Sequence, residues 1–436
     1  MKKIILTILL LFVFFGVKEV NAAKQVFLGG TSDNMSSSNL EYTGIIYPGF
    51  GAYLNWGTSE ASRQSPASDS GTLRNLYVEL DGSPGTGNSY EFTLRVNGAN
   101  STLTCIISDD ETTCADETHD VTVAQGDLLA MEYDPDSSPT GRDAKIISTE
   151  FEGDTDKASL YGGSIASDLS GGTRIFTYPN GNNGPSAASI TKKMLNPIDG
   201  AIDEFCVNMG TLGDSTFIWS IYLNEAEIVA SRITLDSGTT NNCISNLAID
   251  IEPEDLVIIS AIESSGTTGT YINSSYGYSV IADTDGESII SGTSDNTNYN
   301  AEYNQINGSD GTWQTEPPMI KSGGLTSFVV KYLYIGVHSG LSHELFTYPY
   351  YIRNNASNTS ITCTLSGGAG ACSDTTHTAT YVKGDEIAIF IDKSGSGLVV
   401  RWATIQYVAP DAPTGDPDGI LEVKSKLEVK LKLEVK

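Results

Sequence analysis

Two cysteines with eight residues between them, then a histidine, then a Gly-Asp pair, are the side chains here best equipped for chemistry. The string runs from Cys105 through Cys114 and His119 to Gly126-Asp127. It is written again 258 residues later as Cys363, Cys372, His377 and Gly384-Asp385. Thiols beside an imidazole are the raw material of a redox pair, a metal site or an activated nucleophile. The partners a zinc site needs are missing. The spacing instead lets the cysteines face each other across a hairpin at the distance a disulfide requires. Closing so short a loop stabilises a fold by about 2–3 kcal/mol on the chain-entropy account.

A weaker third copy, CISNLAIDIEPED, stands midway at Cys243 to Asp255. The chain is therefore a tandem repeat. Where two copies carry His119 and His377, the third carries Leu247. A position that accepts leucine reads as a packing site, so the histidines are expected to be partly buried. The first cysteine is also lost in that copy, Thr234 standing near its place, which leaves Cys206 and Cys243 to pair with each other. Asp127, Asp255 and Asp385 sit at strand entrances and read as turn aspartates that accept backbone N–H groups.

Two further sets bear on ligands. Asp154, Asp156, Asp283 and Asp285, near Asp134, Asp136 and Glu287, offer oxygen ligands of the kind calcium takes, although no EF-hand-like loop frames them. Calcium is the one cofactor the sequence suggests. The cluster Tyr348, Tyr350 and Tyr351 offers rings for stacking on sugars, as do Tyr271, Tyr276, Tyr278, Trp56, Trp219, Trp313 and Trp402. Core packing accounts for about half of these aromatics equally well. No phosphate-binding glycine loop, HExxH or G-x-S-x-G is present, and no catalytic residue stands out. The chain's two other histidines, His338 and His343, fall in an expected loop.

These residues must be positioned by strands. Short β-branched and aromatic runs alternate with Gly, Asn, Asp and Pro clusters, the pattern of an all-β protein. In the first repeat, strands are expected at 73–80, 90–97, 102–107, 118–123, 128–133 and 145–151, with Asn97-Gly98 as a hairpin turn. Equivalent segments end at Asp154, Asp283 and Asp411, which sets modules at 24–153, 154–282 and 283–411. Each is expected to hold eight or so antiparallel strands in a two-sheet sandwich of jelly-roll type. Residues 412–436 form a linker and a tail whose period-two pattern of Leu and Val against Lys and Glu fits a half-buried strand. Such a face invites self-assembly or a partner.

Residues 1–22, two lysines followed by an apolar run and a small-residue cleavage pattern, read as a secretory signal. No membrane insertion is expected after its removal, and six cysteines suit the oxidising space outside the cell. With 25 basic against 54 acidic residues, the surface repels nucleic acid and anionic membranes.

Val96-Asn97-Gly98, a variable hairpin, the strand THDVTV, Gly126-Asp127 and a final aromatic strand together resemble the trimeric jelly roll of the complement globular-head and tumour-necrosis-factor-like family. The cysteine-bridged modules also resemble those of bacterial and phage-associated secreted or fibre proteins. Module two departs most, with Leu223-Asn224-Glu225 for VNG and Glu254-Asp255 for GD. The resemblance implies a non-enzymatic binding or assembly module, and three copies that can close as an intramolecular pseudo-trimer. The expected function is a secreted binding or structural protein: an adhesin, an appendage or a cell-surface component with a glycan or protein partner. A carbohydrate-binding, lectin-like protein, dependent on calcium or not, is the alternative, and a glycan-active hydrolase or lyase the third.

Overall fold

The computed structural model describes residues 24–30, 34–46, 56–154, 159–165, 172–182, 186, 192–210, 214–236, 238–265, 274–294, 302–311, 325–337, 347–366, 368–392 and 400–409. The signal segment, the tail, Asp156, Tyr271, Trp313, His338 and His343 lie outside them. The described residues form an all-β structure of six sheets, with no α-helix. The sheets are antiparallel apart from two short parallel pairings.

Residues 24–153 contribute β1 (Lys24–Gly29), β2 (Glu41–Thr43), β3 (Ser65–Pro66), β4 (Gly71–Leu80), β5 (Gly85–Val96), β6 (Ala99–Asp109), β7 (Thr113–Asp116), β8 (Val121–Val123), β9 (Leu128–Asp136) and β10 (Ala144–Gly153). One sheet has the order β1-β10-β4-β7, with β8 also on β4. The other has the order β2-β9-β5-β6, with β3 also on β9. Neighbours in space that are distant in sequence make this a jelly-roll-like sandwich. Period-two patterning places Leu73, Leu76, Val78 and Leu80 of β4 against Tyr90, Phe92 and Leu94 of β5 in one core.

The same plan recurs twice. Residues 159–282 form two six-stranded sheets around Trp219, Phe205 and Tyr276. Residues 287–407 form a five- and a four-stranded sheet around Trp402, Tyr350 and Tyr381.

The three units close on one another in a ring. The first strand of each, Lys24–Gly29, Ser159–Ile165 and Glu287–Ser294, runs beside the last strand of its own unit. On their other edge, the far ends of the second and third also pair in parallel with Gly181–Asn182 and Gly308–Gly311, which leaves the near part of that edge to the neighbouring unit. A buried edge must find hydrogen-bond partners. Side chains of the neighbouring unit supply them. The Gln25 amide takes both backbone groups of Leu160, at 3.2 and 2.7 Å. The Tyr161 hydroxyl accepts the N–H of Ile289 at 2.6 Å. The Gln406 amide takes both backbone groups of Val26, at 2.8 and 3.2 Å. The order is one to two, two to three, three to one. Core packing follows it in the opposite sense: Leu160 belongs to the first core, Ile289 and Ile405 to the second, Val26 and Leu28 to the third. This mutual contact is the arrangement of a single-chain pseudo-trimer.

Candidate functional site

The three disulfides form, but not all in the expected way. Cys206 and Cys243 face each other as direct partners on antiparallel strands. Cys105–Cys114 and Cys363–Cys372 instead join the two sheets of their sandwiches, because β6 lies in one sheet and β7 in the other. The expectation of a bond across a paired hairpin is corrected to a staple across the sandwich. In module two Ile233, next to Thr234, faces Trp219 where Cys105 faces Phe92, so apolar packing replaces the staple. Three disulfides suit an extracellular or otherwise oxidising environment. Replacing Cys105 and Cys114 together by serine is expected to destabilise the chain by about 2–3 kcal/mol. Urea unfolding monitored at tryptophan would measure it.

The histidines were expected to be packing residues, and this is corrected. The side chains of His119 and His377 are 54% and 53% exposed. Each imidazole holds an aspartate through Nδ1, Asp116 at 2.9 Å and Asp374 at 2.9 Å. Burial opposes ionisation of Asp116, but the Thr118 N–H, the His119 ring, the Thr104 N–H and the Thr118 hydroxyl outweigh it and bring its pKa down to about 2. For Asp374, burial is again outweighed, by the N–H groups of Thr362 and Thr376 and by His377, and the pKa falls to about 2. The Thr104 and Thr362 N–H groups belong to edge strands of the other sheet. Each carboxylate therefore ties the two sheets together beside a disulfide. Module two has lost the arrangement: Ile244 and Leu247 are half-buried against its core.

The turn aspartates do accept N–H groups, and they do more. Asp127, Asp255 and Asp385 take the N–H of Ala124, Glu252 and Val382 at 2.8, 2.8 and 2.9 Å. Each also accepts the side-chain amide of the turn asparagine, Asn97, Asn224 or Asn355. That asparagine in turn accepts the N–H of Leu128, Leu256 or Glu386. This clasp, repeated three times, fixes two loops at one end of each module. The asparagines have φ of 52°, 50° and 45°, and the residues after them, Gly98, Glu225 and Ala356, have 77°, 73° and 66°. Left-handed backbone suits glycine, and an alanine there is strained by roughly 1 kcal/mol. Ala356→Gly is therefore expected to stabilise the chain by about 1 kcal/mol in thermal unfolding.

Each clasp faces the next module, so the loops frame clefts between units. Gln125 bonds Ser245 at 2.9 Å, and the cleft there, about 430 Å³, runs from Pro66 and Asp127 to Asn242 and Cys243. Glu254 and Leu256 face Tyr334, Cys372 and Arg401 across a more apolar cleft of about 230 Å³. Burial lowers the Arg401 guanidinium below its ordinary value, against the pull of Tyr178. Lys383 pairs with Glu117 at the third boundary.

The stacking candidates divide. Tyr348 and Tyr350 are 1% and 0% exposed, in the third core, and cannot stack on a ligand. Tyr276, Tyr278, Trp56, Trp219 and Trp402 are buried as well. Tyr351 alone of the cluster points outward and is half-buried. It lies directly across from Phe390, which in turn lies across from Tyr303, so three rings form one row over neighbouring strands. Ring centroids are 6.1 Å apart for Tyr351–Phe390 and 4.5 Å for Tyr303–Phe390. The Arg353 guanidinium stands 4.9 Å over Phe390 and 5.3 Å over Tyr303. Nothing in the sequence except strand parity signalled this row.

Of the calcium candidates, Asp156 lies outside the described residues. Asp154, Asp283 and Asp285 are exposed, and among the described residues no three carboxylate, imidazole or thiol groups gather as a metal site.

No family model and no curated protein matches the chain. A structure of infectious bursal disease virus, Gx strain, aligns over 89% of this chain and 81% of its own at 10% identity, with a TM-score of 0.18. T=1 particles derived from infectious bursal virus align over 91% and 79% at 9% identity, with a TM-score of 0.15. Likenesses this slight bear on neither fold nor function.

Proposed function

We propose that this chain is a secreted, non-enzymatic binding or structural protein, an adhesin, appendage or cell-surface component, built as a single-chain pseudo-trimer. The observation that carries the reading is the ring of side chains at the centre, Gln25, Tyr161 and Gln406, each completing a buried strand edge of the next module. A closed ring is a rigid body that presents the outer sheets of three modules around one axis. The jelly-roll-like plan, the order of strands and the inter-sheet staples support a kinship with the trimeric globular-head type. The apolar run at residues 1–22 and the three disulfides support export.

A panel of immobilised polysaccharides and extracellular-matrix proteins separates the readings. Retention of the protein with ligand chains of unchanged length supports a binding role. Shortened chains move the protein to the hydrolase or lyase class.

A second reading, carbohydrate binding, has one specific observation in its favour: the outward row Tyr303, Phe390 and Tyr351 in module three. Sugar rings stack on such faces through their C–H edges. Dependence on calcium remains a separate proposal, tested by the same panel with and without chelator.

A further inference from the structure

Each module carries an arginine over one or two aromatic rings, but the three arginines differ in what neutralises them. Arg95 stands 5.7 Å over Tyr42 and is paired with Glu60 at 3.0 Å and Glu132 at 3.1 Å. Arg174 stands 5.6 Å over Tyr222, with Glu227 at 3.5 Å. Arg353 has two rings beneath it and an amide beside it, the Asn358 Oδ1 at 2.6 Å. No carboxylate lies within ion-pair distance of it among the described residues, and its Nε–H is buried without a hydrogen-bond acceptor. In a chain of net charge −29 this is an unusual place to leave a cation uncompensated.

We infer that the face formed by Tyr351 and Arg353, seated on Phe390 and Tyr303, binds an acidic glycan, one whose sugar rings carry carboxylates. The inference rests on the carbohydrate-binding reading above and adds the charge of the sugar. The division of labour follows from geometry. Phe390 and Tyr303 hold the guanidinium by cation–π contact, and Asn358 fixes its orientation, so little freedom is lost on binding. With Nε buried, the terminal Nη1–Nη2 edge of the planar guanidinium is the fork left to meet a carboxylate, a geometry a point charge does not offer. Tyr351, one row position from Phe390 and two residues from Arg353, lies on the same face and supplies the ring on which the sugar stacks. The other two modules cannot take such a ligand in the same way. Arg95 is already held by two glutamates, and an incoming carboxylate would meet them.

The test is titration calorimetry on the full chain. The probes are an oligogalacturonate, its methyl ester, sialyllactose, neutral lactose and an oligoglutamate peptide. The expected result is binding of the carboxylate sugars, weakened by salt and by esterification. Arg353→Ala and Tyr351→Ala should each weaken it at least about tenfold. Arg353→Lys should recover part of the loss, since it restores charge without the fork. Arg95→Ala should leave it unchanged, and thermal unfolding of each variant confirms that the module is folded. Equal binding of neutral and acidic sugars that depends on Tyr351 but not Arg353 overturns the inference and leaves the carbohydrate reading standing. Binding of none of the sugars overturns both. Preference for the oligoglutamate peptide over every sugar replaces the glycan with an acidic protein partner and overturns the inference as stated.

Discussion

Gln406→Leu is expected to destabilise the chain by about 4 kcal/mol and to release β1 from the centre of the molecule. Gln406 is 0% exposed, and its amide is the partner of the Val26 N–H and C=O, with the Ser288 hydroxyl as a third contact. Leucine is close to glutamine in volume, so the variant opens little cavity and the effect isolates the hydrogen bonds. Two backbone groups are then left buried without partners, each at about 1–3 kcal/mol. They cannot turn to another strand, because the opposite edge of β1 is already held by β10. Gln25→Leu should act alike through Leu160, whereas Tyr161→Phe orphans one backbone group, the Ile289 N–H, and should have a smaller effect. Urea unfolding gives the magnitudes, and amide exchange at Val26 locates the loss. If Gln406→Leu changes stability no more than an exposed glutamine would, the ring does not hold the modules together. The same contacts predict one cooperative transition for all three modules rather than three separate ones.

Strand positions were legible because each module buries its own core, and the alternation that requires is written locally. The expected runs 73–80 and 90–97 fall within β4 and β5 or a residue of their ends, whereas the run expected at 118–123 is strand only at Val121–Val123, because the Thr118 and His119 N–H groups turn back onto Asp116. The ring was not legible. Its three members are a glutamine, a tyrosine and a glutamine placed differently in their units, so repeat comparison gives no signal at those positions. The clasp was half legible. Asn97 and Asp127 each read as turn residues, but 30 residues separate them, and only the fold brings them together. The histidines misled for a definite reason. Leu247 suggested a packing site, yet module two had exchanged the whole pair, with Ile244 and Leu247 in place of Asp and His. Parity could have sorted the tyrosines. Tyr348, Tyr350 and Ile352 share one strand face and enter the core, while Tyr351 and Arg353 share the other. Two adjacent tyrosines looked like one cluster because type was weighed before direction.

Acid should loosen the ties between the two sheets of modules one and three. Asp116 and Asp374, with pKa values lowered from 3.8 to about 2, bind protons less readily folded than unfolded. A depressed carboxylate stabilises the fold fully above its unfolded value, and the contribution fades as pH falls through the folded one. The window therefore runs from about pH 4 down to about pH 2. The shifts correspond to about 2 kcal/mol for each carboxylate and about 4 for the pair. Both side chains are only 5% exposed, so solvent screens them little. Asp116→Asn with Asp374→Asn should lose most of that stability at pH 6 and have a shallower acid slope than the parent between pH 4 and pH 2, the remainder coming from depressed carboxylates such as Glu227 and Asp385. Thermal unfolding at a series of pH values, at constant ionic strength, compares the two slopes. Equal acid slopes in the parent and the double variant would mean that other carboxylates carry the response. Amide exchange at Thr104 and Thr362 gives the local reading. Those two N–H groups reach across from the other sheet to the carboxylates, and their protection should fall with the same pH profile.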